Sequence, residues 1–293
     1  MGWEDFKLTS TELDFLIKTA APEVEDRSGL RQLLESDKDF RNAFIGDEKT
    51  FQRVADDREV FLKISPRLYF EILLRKAGKE LESASHTLER VGTQRIAVFD
   101  TREVVDLLSK HVVMVYLADM LASFTKVESY TISYRVKEGN WRKIRFSDLD
   151  IDSLIIFSEA VDDEYRLGLF KRIADICLFL LGVFPEYVRL THRYPFSGEL
   201  RPQMASWMTR SPEDYEEEGK RFYQLAAEHP VAKTAELSEV FTLLHENFHA
   251  AKRPLNFLSE HYFHREKSFV WGGDCLIRSV GARTTAPVAA IFP

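Results

Sequence analysis

His245-Glu246-Asn247-Phe248-His249 is the segment whose residue types and spacing point most directly to chemistry. On an α-helix, residues four apart share a face, so imidazoles at His245 and His249 can bind one Zn²⁺. Glu246, lying between them, would then act as general base on the metal-bound water. Four of the eight histidines, His245, His249, His261 and His264, fall within twenty residues, a density that suits a metal or proton site. A third ligand would come from Glu260, His261 or His264.

Over these five residues the chain resembles the zincin metallopeptidases, and Asn247 and Phe248 are uncharged, as those helices usually require. The resemblance implies a zinc-dependent hydrolase, with peptidases as the nearest class, and Zn²⁺ as its cofactor. It stops short of the metzincin extension, because Lys252 stands where a glycine is needed and Leu255 where a third histidine is needed. A bland reading competes with it. The apolar stripe through Leu237, Val240, Phe241, Leu244, Phe248 and Ala251 puts both histidines on its shoulder, where they serve equally well as boundary residues of a structural helix.

A second constellation sits on a β-hairpin expected between Tyr130 and Phe146. If Lys137-Glu138-Gly139 forms the loop, Tyr130 pairs with Phe146 and Ile132 with Ile144. The other face then carries Arg135, Trp141, Lys143 and Arg145, which could hold an anion or a nucleic-acid backbone while the indole stacks on a base. A net charge of −7 disfavours nucleic acid as the partner, since the long-range field repels a polyanion. Asp148, Asp150, Asp152 and Glu159 have the spacing of a calcium loop. Ser153 replaces the glycine that such a loop needs, however, and the acids read equally well as an N-cap and first helical turn.

These residues must be positioned by elements that the sequence announces at their ends. Thr9 with Glu12 has capping-box spacing, Ser65-Pro66 and Ser211-Pro212 each supply an N-cap and an N1 proline, and Asp100 is placed to cap a long helix through Val104, Leu107, Leu108, Val112 and Val115. Arg95 to Phe99 reads as a short strand. Helical periodicity runs from Ile151 to Phe184, then from Thr234 to Lys252, and from Pro254 to Glu266 after a proline break. The expected fold is a mainly α, multi-helix globular protein with a small β-hairpin or short sheet inserted mid-chain. Its expected regions are a helical segment over 1–128, the hairpin over 129–147, a second helical segment over 148–266 and an irregular tail over 267–293, within one or two domains.

Composition narrows the function further. With 45% hydrophobic and 30% charged residues, the chain is neither collagen-like nor wholly disordered. Cys177 and Cys275 stand too far apart for a disulfide framework or a cysteine-rich zinc site, so a cytoplasmic setting is expected. No apolar run approaches the ~20 residues of a membrane span, and no membrane partner is expected. Neither common phosphate-binding glycine loop occurs. The leading expectation is a helical interaction or regulatory protein with a protein partner and no cofactor. The zinc hydrolase and the anion-binding hairpin are its alternatives.

Overall fold

Side-chain N-caps start several helices of the computed structural model, which describes residues 7–57, 59–91, 94–125, 129–137, 140–147, 149–185, 188 and 210–263. In chain order the elements begin with α1 (Ser10–Ala20), α2 (Arg27–Ser36), α3 (Lys38–Ile45), α4 (Glu48–Asp56), a 3₁₀ turn (Val60–Leu62) and α5 (Pro66–Ser83). Strands β1 (Thr87–Val91) and β2 (Gln94–Val98) follow, then α6 (Thr101–Ser109) and α7 (His111–Ser123). After β3 (Ser129–Lys137) and β4 (Asn140–Ser147) come α8 (Ile151–Ala160), α9 (Asp163–Val183), α10 (Pro212–Glu228), α11 (Pro230–Thr234), α12 (Ser238–Glu246) and α13 (Phe248–His261). The fold is mainly α.

The chain gathers into two compact units, Met1–Ala122 with His249–Tyr262, and Ser123–Phe248 with Phe263–Pro293. In the first, amphipathic α1 and α2 bury Leu13, Ile17 and Leu34 against Leu8, Leu30, Phe40 and Phe44. One carboxylate joins two helix starts: Glu12 closes the capping box on Thr9 at the head of α1 and also accepts from the N–H (2.9 Å) and hydroxyl (2.6 Å) of Ser65, the N-cap of α5. Arg75 of α5 donates to Glu71 at 2.7 Å and to Asn42 of α3 at 2.8 Å, satisfying its guanidinium within the fold. Helix α7 is buried on nearly all sides from Val113 to Leu121, as its almost uninterrupted apolar sequence requires.

The second unit is built around α9, whose C-terminal half is buried from Ile173 through Val183. It packs on α8 and α10, and α10 packs in turn on α12. Helix α10 starts with a complete capping box, Ser211 accepting from the Asp214 N–H at 3.0 Å and Asp214 from the Ser211 N–H at 2.8 Å. Gly219 makes the close approach possible. A Cβ there would lie 2.5 Å from the Phe248 ring and 2.9 Å from Cys177 Cβ. Asp175, fully buried, is held by the Tyr223 hydroxyl at 2.8 Å and by Lys171 at 2.7 Å, so the charge does not stand alone in the core.

The two sheets are separate antiparallel pairs, β1 with β2 and β3 with β4. In the second, Tyr130 pairs with Phe146 and Ile132 with Ile144, the register expected from alternation. Lys137 is opposite Asn140, so the connection is shorter than the expected three residues, and Glu138-Gly139 lies outside the described residues.

Three expected helices are divided. The long helix after Asp100 ends at Ser109 and restarts at His111 across extended Lys110, whose N–H closes α6 on the Leu107 carbonyl three residues back and whose own carbonyl opens α7 by accepting from the N–H groups of Val113 and Met114. Ile151 to Phe184 breaks between α8 and α9, where Asp162 is extended and two acids, Asp163 and Glu164, open the next helix. Thr234 to Lys252 is likewise not one helix: α12 ends at Glu246 and α13 begins at Phe248. Pro254, expected to open a further helix, lies inside α13 instead.

Candidate functional site

The break inside the histidine segment falls at Asn247. Its backbone leaves the helical region at φ −116°, ψ 31°, while its N–H makes the ordinary bond to the Leu243 carbonyl four residues back at 2.9 Å and its side-chain Nδ2 donates to the same oxygen at 2.9 Å. The common helical face expected of His245 and His249 is therefore not provided by one continuous helix.

Each imidazole has its own partner. His245, half-buried at the end of α12, lies 2.9 Å through Nδ1 from the Lys220 carbonyl of α10. A carbonyl only accepts, so Nδ1 carries the proton and Nε2 the lone pair. His249, in α13, lies 2.6 Å through Nε2 from the guanidinium of Arg253. A guanidinium only donates, so the His249 Nε2 lone pair is committed to it, and the adjacent positive charge opposes a metal cation at that nitrogen. Glu246 is exposed at the end of α12.

The remaining candidates behave similarly. His261 stands exposed at the end of α13 with Nδ1 3.0 Å from the Phe257 carbonyl and its ring stacked on Phe257 at 4.0 Å. Glu260 is half-buried on the same helix, and His264 lies outside the described residues. Among the described residues, no three His, Cys, Asp or Glu side chains are grouped to hold a metal ion.

Sequence spacing gave no sign of the network next to His249. Arg253, 2% exposed, donates through Nε to Asp100 at 2.7 Å, and the Asp100 carboxylate also accepts from the Thr87 hydroxyl. Residues 87, 100 and 253 thus meet around one buried ion pair that joins β1, the start of α6 and α13. Asp100 does begin α6 as expected, yet its side chain makes no capping bond there because Arg253 and Thr87 engage it.

The hairpin register sets Arg135 opposite Trp141, Ser133 opposite Lys143 and Thr131 opposite Arg145, so the four anion-binding candidates occupy register positions of one phase. Their side chains lie outside the described residues. In the acidic stretch, Asp150 caps α8, accepting from the Ser153 N–H at 3.2 Å and hydroxyl at 2.7 Å, and Asp152 pairs with Arg210. These bonds bear out the N-cap reading of those acids.

Burial displaces the titration of two groups outside the histidine segment. Cys177 is a free, fully buried thiol, and desolvation pushes it far above the ordinary thiol range, with the Glu218 charge adding to the effect. Burial lowers the affinity of His111 for a proton, and the positive charges of Lys38 and Arg75 lower it further.

A few large apolar side chains stand outward among the described residues. Phe99 is 81% exposed, Leu62 80% and Ile156 65%, and Phe99 lies 6.0 Å, centroid to centroid, from the ring of His86. Such exposures are set by tertiary packing and have no signature in hydrophobic periodicity. No described helix is long and apolar enough to cross a membrane. No protein-family model, curated protein or solved structure matches the chain.

Proposed function

We propose that this chain is a helical interaction or regulatory protein that works by offering apolar contacts to a protein partner. The observation that carries the reading is the exposure of Phe99 at 81% and Leu62 at 80%, side-chain types that ordinarily gain about 1.5–3 kcal/mol by burial. The histidine chemistry supports it from the other side, since His249 is engaged by Arg253 and His245 by a backbone carbonyl. Cytoplasmic residence belongs to the same proposal, supported by the burial of Cys177 as a free thiol.

The test is site-specific photocrosslinking. A photoreactive phenylalanine analogue at position 99, 62 or 156 is expected to form a discrete adduct in cells, an analogue at exposed Lys49 none, and His245→Ala should leave the adduct unchanged. Equal labelling from all positions would remove the basis for the reading. A full equivalent of zinc in protein purified without a metal-binding tag, lost in His245→Ala and kept in Glu246→Gln, would replace it with the hydrolase.

A further inference from the structure

His229 occupies a place where its protonation state decides a local structure. It sits between α10 and α11, 6% exposed, and each ring nitrogen has a backbone partner. Nε2 lies 2.9 Å from the carbonyl of Asp163 in the first turn of α9. Nδ1 accepts the N–H of Val231 at 3.2 Å and so caps α11. A carbonyl needs a donor and an N–H needs an acceptor, so these bonds select the neutral imidazole with its hydrogen on Nε2.

We infer that His229 is a proton-operated latch: uptake of a second proton at Nδ1 detaches the 230–237 segment while the ring stays bound to the start of α9. Once Nδ1 carries hydrogen, it faces the Val231 N–H as donor against donor, and the cap is lost. Nothing comparable happens at Nε2, whose bond to Asp163 survives in both states. The Asp163 carboxylate, 4.0 Å from Nε2, favours the charged ring, although it also accepts from Arg166 at 3.1 Å. From the other sides the ring meets the edge of Phe170 at 6.4 Å. Of the remaining charged groups on these elements, Glu228 of α10 accepts from Gln224, Asp162 starts α9 and Lys233 lies in α11 itself. The cation can therefore be accommodated beside α9, and the cap is the bond that yields.

Helix α11 has five residues, too few to persist without its ends held. Its closing bonds run from Ala235 N–H to the Val231 carbonyl and from Leu237 N–H to the Ala232 carbonyl. Between them Glu236 has φ of 60°, a left-handed conformation that an L side chain adopts only when its surroundings impose it. Release of the cap removes one of those constraints, so the whole 230–237 stretch loosens with it.

The experiment pairs two measurements on the full chain. Ring ¹⁵N shifts report when His229 Nδ1 takes up its proton, and amide exchange, corrected for the intrinsic pH dependence, reports protection of Val231, Ala235 and Leu237. Over a titration from about pH 8 to about pH 5, protection should fall at least about tenfold in step with proton uptake at Nδ1. In His229→Asn, whose amide oxygen caps without titrating, protection should stay level over that range. Protonation of Nδ1 with protection unchanged would overturn the latch, as would a ring that stays neutral throughout or an equal loss of protection in His229→Asn. The ring titration and exchange of the wild type decide the question even if that variant does not fold.

Discussion

Replacing Glu12 with glutamine tests how strongly a single carboxylate ties α1 to α5. Glu12 is 1% exposed and accepts four hydrogen bonds: from the Thr9 N–H (2.8 Å) and hydroxyl (2.9 Å) through Oε2, and from the Ser65 N–H (2.9 Å) and hydroxyl (2.6 Å) through Oε1. Glutamine has the same shape but presents an NH₂ to one of these donor pairs. Bonds to a charged acceptor are each worth about 1.5–3 kcal/mol and are not additive within one group, so Glu12→Gln is expected to cost about 2–4 kcal/mol. The pH dependence has a definite sign. Burial would raise the Glu12 carboxyl, but bonds from Ser65 and Thr9 overcome it and hold the group below its ordinary value of 4.5. Its contribution is thus complete above pH 4.5 and disappears as pH falls through the lower, folded-state value. Amide exchange of the α1 and α5 peptides in increasing urea should show the variant less protected at pH 7, the gap to wild type narrowing in acid. A gap under about 0.5 kcal/mol, or one that does not change with pH, would refute the account.

Other expectations follow from the packing. Gly219→Ala should lower the urea midpoint, because a Cβ placed 2.5 Å from the Phe248 ring costs about 1–3 kcal/mol in overpacking, more than the ~1 kcal/mol gained in helix propensity. Restored stability in Gly219→Ala with Phe248→Leu would confirm the cause. Arg253→Met should destabilise by about 3 kcal/mol in thermal or urea unfolding, since it strips the Asp100 carboxylate of its counter-charge. Arg253→Lys should recover little of that, lacking the fork that reaches both Asp100 and His249. Peptide mapping after alkylation at pH 8 should find Cys177 unmodified in the native protein and labelled once urea unfolds it.

The expectations that held were those with short-range causes. Thr9, Ser65 and Ser211 start helices because an N-cap oxygen and the backbone N–H that donates to it lie within three residues, and that chemistry is complete in the local sequence. The pairing of Tyr130 with Phe146 was readable because alternation in β3 and β4 permits few registers. Helix interruptions were not readable. Lys110 and Asn247 lie in patterns that remain helical on either side, and what stops the helix is the backbone conformation of one residue, ψ of 112° at Lys110 and 31° at Asn247. Strand β1 carries no separate signal in the sequence because Thr87-Leu88-Glu89-Arg90-Val91 continues the composition of α5. The histidine spacing was visible from the outset, but the chemistry of His249 depends on Arg253, which is tethered to an aspartate 153 residues earlier.

That same tether bears on how the protein is made. Asp100 leaves the ribosome well before the arginine that neutralises it, and at about 5–20 residues per second the wait is roughly 8–30 s. Throughout that interval the first unit lacks α13, so the emerging N-terminal helices have to keep an unfinished apolar surface from associating with other chains. Biogenesis should accordingly be sensitive to anything that slows translation between residues 123 and 248, a stretch that contributes no residue to the first unit.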